Sequence, residues 1–271
     1  MKRSFLPRAA VAAAATVAIA LVGASARAAV ITWQTPTTSS APTDVSTAGT
    51  LVSAYALGTA SNQKVNGVTF AGTTSGFPYG GAATITLPDG DTVFATGTNS
   101  KVQDNGGGTF GPTTGNFATG STYRTLLSSV FYNGNSTDAL VLTLNSLTVG
   151  HSYLFQTWVN DSRQGADGLT IKVYDGNGNS AILAANSATS KLTPGGTPGQ
   201  YVIGTFTADA TSQVVNYIYN SSPYTNYTET LANAFQLRDL GSVITPEPAT
   251  LGLLGLGGLG LLLLGKRRKT A

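Results

Sequence analysis

The chain has 271 residues, 15 Lys and Arg against 12 Asp and Glu, a single His and no Cys. Its formal charge of +3 suggests an anionic partner, but the distribution excludes one: Lys2, Arg3, Arg8 and Arg27 lie at one end, Lys266, Arg267, Arg268 and Lys269 at the other, and every acidic residue lies between. Ala29 to Pro248 holds 7 basic and 12 acidic residues, net −5, and so offers nucleic acid no basic surface. Without cysteine there is neither a disulfide framework nor a thiolate, so stability must come from burial. About 215 exported residues are enough for one sizeable core.

Met1 to Ala28 has a basic start, an apolar stretch from Ala9 to Ala24, and Ala26-Arg27-Ala28, the A-x-A pattern of a signal peptidase site. We place cleavage after Ala28 and read 1–28 as a signal-peptide helix. Cleavage one to three residues away and an uncleaved anchor are the alternatives, and the shortness of the apolar region argues against the anchor.

From Val30 to Leu240, Gly, Thr, Ser and Asn dominate and apolar residues come in short alternating runs. Strands are predicted at Gly67 to Ala71, Ala83 to Leu87, Thr92 to Ala95, Ala139 to Leu144, Ser152 to Asn160, Leu169 to Tyr174, Ala181 to Ala184, Gln200 to Thr207, Val214 to Asn220 and Ala234 to Leu240. Turns are predicted at Pro88 to Asp91, Asn133 to Asn135, Asp175 to Asn179 and Thr193 to Gly196. No segment sustains a 3.6-residue apolar period, so helix should be minor. The expected fold is all-β: a jelly-roll type antiparallel β-sandwich forming one extracellular domain over 29–243. Val30 to Pro42 and Gly106 to Gly120 are rich in Thr, Gly and Pro with little to pack; they could be linkers, but no second core stands between them, so one domain with a long inserted loop is the preferred reading. Gly120 to Tyr132 reads as a strand or a short helix.

Catalytic residues are scarce. His151 sits in a turn beside Gly150, and no G-x-S-x-G or cysteine nucleophile accompanies it. A zinc site would need three carboxylates around that one histidine, so no metal and no cofactor is expected, and the chain is not expected to be an enzyme. Asp161 and Asp167 flank Arg163 in a loop following a strand that carries Trp158. An indole face beside Asp and Arg could hold a sugar; equally, Asp161 and Arg163 could pair across the turn and Trp158 could be core. Asp175-x-Asn177-x-Asn179 resembles the start of a Ca²⁺ loop, yet Ser180 and Asn186 stand where an EF-hand needs Gly and Glu, so a hairpin turn is the better reading. Calcium bound elsewhere in the sandwich, for example through Asp89 or Asp91, stays open but has no sequence support. Tyr217, Tyr219, Tyr224 and Tyr227 with Asn216, Asn220 and Asn226 would suit a sugar surface, although half must face a core if 214–220 is a strand.

Ala249 to Leu264 is a run of 16 residues with Thr250 as its one hydrogen-bonding side chain. As a helix it would cover roughly 24 Å, a short membrane span. Four basic residues follow it and place the tail in the cytoplasm, with all before Ile244 outside. Pro246-Glu247-Pro248 precedes it, held extended by its prolines.

Pro-Glu-Pro, one apolar span and a terminal basic cluster, in that order over 244–271, resemble the PEP-CTERM sorting signal. The resemblance implies that an exosortase, a membrane-embedded transpeptidase, recognises Pro246, Glu247 and Pro248 and removes the transmembrane helix over 249–265 with the basic tail 266–271. The protein, transiently anchored in the inner membrane, would then pass to the cell surface or extracellular matrix. Ser146 to Phe155 resembles the L-x-x-G-x-x-Y-x-(F/L) strand opening of galactose-binding and malectin-like jelly rolls. Gly199 to Asp209 with Asn233 to Arg238 resembles the closing strands of such domains in PEP-CTERM proteins. The expected role is structural or adhesive; the alternatives are a carbohydrate-binding module for extracellular polysaccharide and, less favoured, a polysaccharide-active enzyme.

Overall fold

Alternation builds strands wherever it is sustained: Leu140, Leu142 and Leu144 point inward while Ala139, Val141 and Thr143 face out. The computed structural model describes residues 29–73, 83–96, 100–103, 110–112, 117, 120–163, 165–187, 196–221 and 227–243. The expectations for the signal peptide with Ala26 and Ala28, for Pro246, Glu247, Pro248 and the apolar span, for Tyr224 and Asn226, and for residues 193–195 lie outside them.

Among the described residues there are 17 strands, one α-helix and one short 3-10 turn. They are β1 (Thr32–Trp33), β2 (Thr37–Thr38), the 3-10 turn Pro42–Asp44, β3 (Thr50–Ala56), β4 (Gln63–Val65), β5 (Val68–Gly72), β6 (Ala83–Thr86), β7 (Thr92–Ala95) and β8 (Ser100–Gln103). Then come α1 (Thr122–Ser128), β9 (Val130–Asn133), β10 (Ala139–Leu144), β11 (His151–Val159), β12 (Thr170–Tyr174), β13 (Ser180–Ala184), β14 (Gln200–Thr207), β15 (Gln213–Ser221), β16 (Thr230–Ala232) and β17 (Ala234–Ser242). One sheet runs β1-β14-β11-β17-β3-β5-β4, with β2 also on β14; a second runs β13-β12-β15-β10-β7-β6; a small third runs β16-β9-β8. Pairing is antiparallel except between β3 and β5.

The expectation of an antiparallel β-sandwich holds. Phe155, Phe235, Tyr217, Leu142 and Ile171 meet in a core between the two large sheets. A second core lies on the opposite face of the eight-stranded sheet, where Ala54, Ala56, Trp158 and Ala234 pack under Phe70, Tyr123, Leu126 and Leu127. Strand β3, absent from the prediction, is thus buried on both faces at its C-terminal half, and its small residues make room for α1 and β5. Gly120 to Tyr132 is helix and then strand, α1 followed by β9, with the Ser121 hydroxyl capping α1 by accepting from the Arg124 N–H at 3.3 Å.

The linker reading of Val30 to Pro42 is corrected. Ile31 is buried and its N–H donates to Asp175 Oδ2 at 2.9 Å. Trp33 packs edge-on against Phe155 at 6.2 Å and lies over Gly204, where a Cβ would come within 2.5 Å of the Ile31 side chain. The described part of Gly106 to Gly120 also packs, since Phe110 and Phe117 are both buried. No helix among the described residues is long and apolar enough to cross a membrane.

Candidate functional site

Trp158, the expected sugar platform, is fully buried. Its ring meets Phe70 edge-on at 5.6 Å and tilts against Tyr201 at 6.2 Å, and its indole N–H donates to the Tyr123 hydroxyl at 3.2 Å. That hydroxyl in turn donates to Asp44 Oδ2 at 2.8 Å. No ring face is left for a ligand, so the stacking role is withdrawn: alternation along β11 sends Phe155 and Val159 to one core and Trp158 to the other.

Asp161 and Arg163 form the turn pair weighed in the sequence. Arg163 Nε donates to Asp161 Oδ1 at 2.8 Å and Nη2 to Asp161 Oδ2 at 2.6 Å, a two-pronged bond. Nη2 also reaches Glu229 Oε2 at 2.5 Å. The guanidinium lies between the Phe110 and Tyr227 rings, 4.1 and 4.3 Å from their centroids. Burial works against its charge, but Asp161 and Glu229 overcome that and push the Arg163 pKa above its ordinary value.

Asparagines hold the same end of β11. Asn233 Oδ1 accepts from the Asn160 N–H at 2.6 Å, and its amide donates to Leu127 and Ser129 carbonyls at 3.0 and 2.9 Å. Asn160 donates to the carbonyl of Phe110 and accepts from the Gly199 N–H. The loop is further tied by Asp161 N–H to Ala185 O at 2.7 Å and Ser162 N–H to Phe110 O at 3.0 Å. Sequence reasoning missed Phe110, Glu229, Asn160 and Asn233 as partners, because only the fold brings positions as far apart as 106 residues together.

Asp167 is separate. It is fully buried and neither carboxylate oxygen has a hydrogen-bond partner among the described residues. Desolvation pushes its pKa up. His151 Nδ1 lies 2.8 Å from Asp239 Oδ2. Burial works against the Asp239 charge, but the Gly241 N–H and His151 together hold its carboxyl below the ordinary range.

The Asp175 to Asn179 turn closes the β12–β13 hairpin, and Asp175 spends its oxygens on the N–H groups of Ile31 and Asn177 and the Asn179 amide. Asp91 is buried, accepts from the Asn145 N–H at 2.6 Å, and is pushed up to about 7 by burial and by the charge of Asp89. No group of three metal-ligating side chains occurs among the described residues. Tyr217 is buried against Thr157 and Tyr227 covers Arg163, so the expected tyrosine surface does not assemble from these two. Two shallow concavities flank β1, and neither touches Trp158, Asp161 or Arg163.

The sharpest functional mark lies in the tail. Residues 245–269 match the PEP-CTERM protein-sorting motif. The chain carries a PEP-CTERM sorting signal. The PEP-CTERM tail marks an exported protein that is processed by an exosortase and held transiently in the membrane by this segment. No curated protein matches the chain.

Proposed function

We propose that the PEP-CTERM chain delivers a structural or adhesive β-sandwich to the cell surface or extracellular matrix, without enzymatic activity. The observation that carries this reading is the fate of the chemistry-bearing side chains. Asp161 and Glu229 both bond the one Arg163 guanidinium beneath two rings, so a catalytic acid or base would have to be freed from a buried ion pair at large cost. A jelly roll of the galactose-binding or malectin-like kind is the finer fold we attach to this reading, on the strength of the Ser146 to Phe155 and Gly199 to Asp209 segments, which form the paired strands β11 and β14.

Processing is tested by the intact mass of protein released from the cell surface. Loss of the signal up to Ala28 and of the tail beyond the Pro-Glu-Pro motif is expected; released protein still carrying Leu251 to Ala271 would refute it. Release of reducing sugar by the purified protein would refute the non-enzymatic part.

A second reading, polysaccharide binding, is favoured by the outer face of the six-stranded sheet, where no described side chain is buried. Cross-strand pairing lines up Ser180, Tyr174, Asn216, Val141, Phe94 and Thr84 in one row. Lys172 Nζ stands 5.3 Å from the Tyr174 ring centroid. A flat row of ring, amide and hydroxyl groups suits an extended glycan. Binding on a glycan array that is lost in Tyr174→Ala would support this reading, and a silent array would dispose of it.

A further inference from the structure

Eight large apolar residues are well exposed among the described residues, and six of them gather at one end of the eight-stranded sheet: Val30, Leu51, Val52, Val149, Leu240 and Val243. The register places them together. Ser152 pairs with Thr207 on one side and Gly241 on the other, and Val30, Thr207 and Ser152 line one shallow concavity. Val243 N–H donates to Gly150 O at 3.0 Å, which sets Val243 beside Val149. Asp239 pairs with Thr50 and Arg238 with Leu51, so Leu240 and Leu51 meet diagonally; the Leu240 side chain also closes over Gly49. The remaining two, Phe94 and Ile182, lie on the other sheet.

This is the end from which the chain leaves for the sorting tail. β17 stops at Ser242, and the apolar run begins at Ala249. The six residue steps from Val243 to Ala249 span at most about 20 Å fully extended. The geometry points to this rim as a docking surface for the bilayer interface, occupied while the tail still holds the protein in the membrane; the inference rests on reading Ala249 to Leu264 as a membrane span.

Exposed apolar side chains this concentrated mark a binding surface, and the short tether confines them to within reach of lipid. Charge selects the kind of lipid. Asp89 and Asp209 are exposed at the same end, and none of β1, β14, β11, β17 and β3 carries an exposed Lys or Arg among the described residues. Contact is therefore apolar, with zwitterionic head groups preferred and anionic lipid unfavourable.

The cysteine-free sequence permits single-site labelling of the full chain in phosphatidylethanolamine–phosphatidylcholine vesicles containing shallow-doxyl lipid. A fluorophore at Leu256→Cys, read in parallel vesicles that carry deep-doxyl lipid, reports whether the tail is in the bilayer. Fluorophores at Val149→Cys and Val243→Cys are expected to be quenched, and one at Ile182→Cys is not. Adding Val149→Ser and Leu240→Ser to Val243→Cys is expected to cut its quenching severalfold, because apolar contact and not tethering alone holds it in the interface. Quenching at Val243→Cys that is unchanged by those serines would overturn the inference. So would a Val149 label shielded from water yet untouched by doxyl lipid, which would mean a protein partner. An unquenched Leu256 label would instead defeat the membrane-span reading beneath it.

Discussion

The two large sheets of the sandwich are built from similar Thr- and Val-rich strands but meet different surroundings. The eight-stranded sheet is covered on both faces at its centre, by the shared core on one side and by α1 and the segment before β3 on the other. Its polar residues are accordingly tied down: Gln156, Gln236 and Arg238 bond carbonyls of Asp44, Ser46, Thr47, Ala48 and Gly49. The six-stranded sheet is covered on one face only, and its outward side chains have fewer obligations. Reactive residue types are thus a poor guide to function on a doubly covered sheet, where an unpaired polar group is too costly to leave free.

That contrast can be broken first at Arg163. Arg163→Ala takes the guanidinium from the buried Asp161 carboxylate, and is expected to cost about 4 kcal/mol of stability in urea unfolding; a loss below about 1 kcal/mol would mean the pair is not structural. Asn233→Ala removes the link between β17, Asn160 and the end of α1, and about 3 kcal/mol is expected, since buried carbonyls lose their donors.

Asp91 sharpens the contrast through pH. The unfolded chain releases this proton near the ordinary aspartate value, about 4, whereas the folded protein releases it at about 7. Between those values the folded state holds more protons, so the contribution of Asp91 favours folding below about 4, declines as pH rises to about 7 and is constant above. Thermal unfolding of wild type should lose about 4 kcal/mol relative to Asp91→Asn across that window, and a difference of the opposite sign would contradict the burial of this carboxyl. Phe94→Ala and Tyr174→Ala, on the uncovered face, should change stability by less than about 0.5 kcal/mol while carrying whatever polysaccharide binding exists.

Much of this architecture is legible in the sequence where one face alone is buried. The alternation of Leu140, Leu142 and Leu144, or of Ile171 and Val173, announces strands of the six-stranded sheet within a residue or two of their ends. It fails for β3, because Ala54, Tyr55 and Ala56 are buried in succession and leave no period to detect. It also fails for β1 and β2, two residues each, which exist because β14 offers an edge. At the candidate site, local chemistry gives the Asp161–Arg163 pair but not its partners, since Phe110, Tyr227 and Glu229 arrive from distant segments. The two readings of Trp158 have the same sequence signature, and the cover supplied by Tyr123 of α1, Phe70 and Tyr201 decides for core. The sorting tail is legible because its three elements are contiguous and need no fold to be assembled.

Amide hydrogen exchange across Asn160 to Ser162 tests most directly whether this loop is a structural clamp. A ligand-binding loop would exchange its amides quickly in the free protein. Here the N–H groups of Asn160, Asp161 and Ser162 are bonded to Asn233 Oδ1, Ala185 O and Phe110 O. They are expected to exchange as slowly as the central amides of β11 in wild type and to become fast in Arg163→Ala. Rapid exchange of these three amides in wild type, at the rate of exposed turns, would contradict the account.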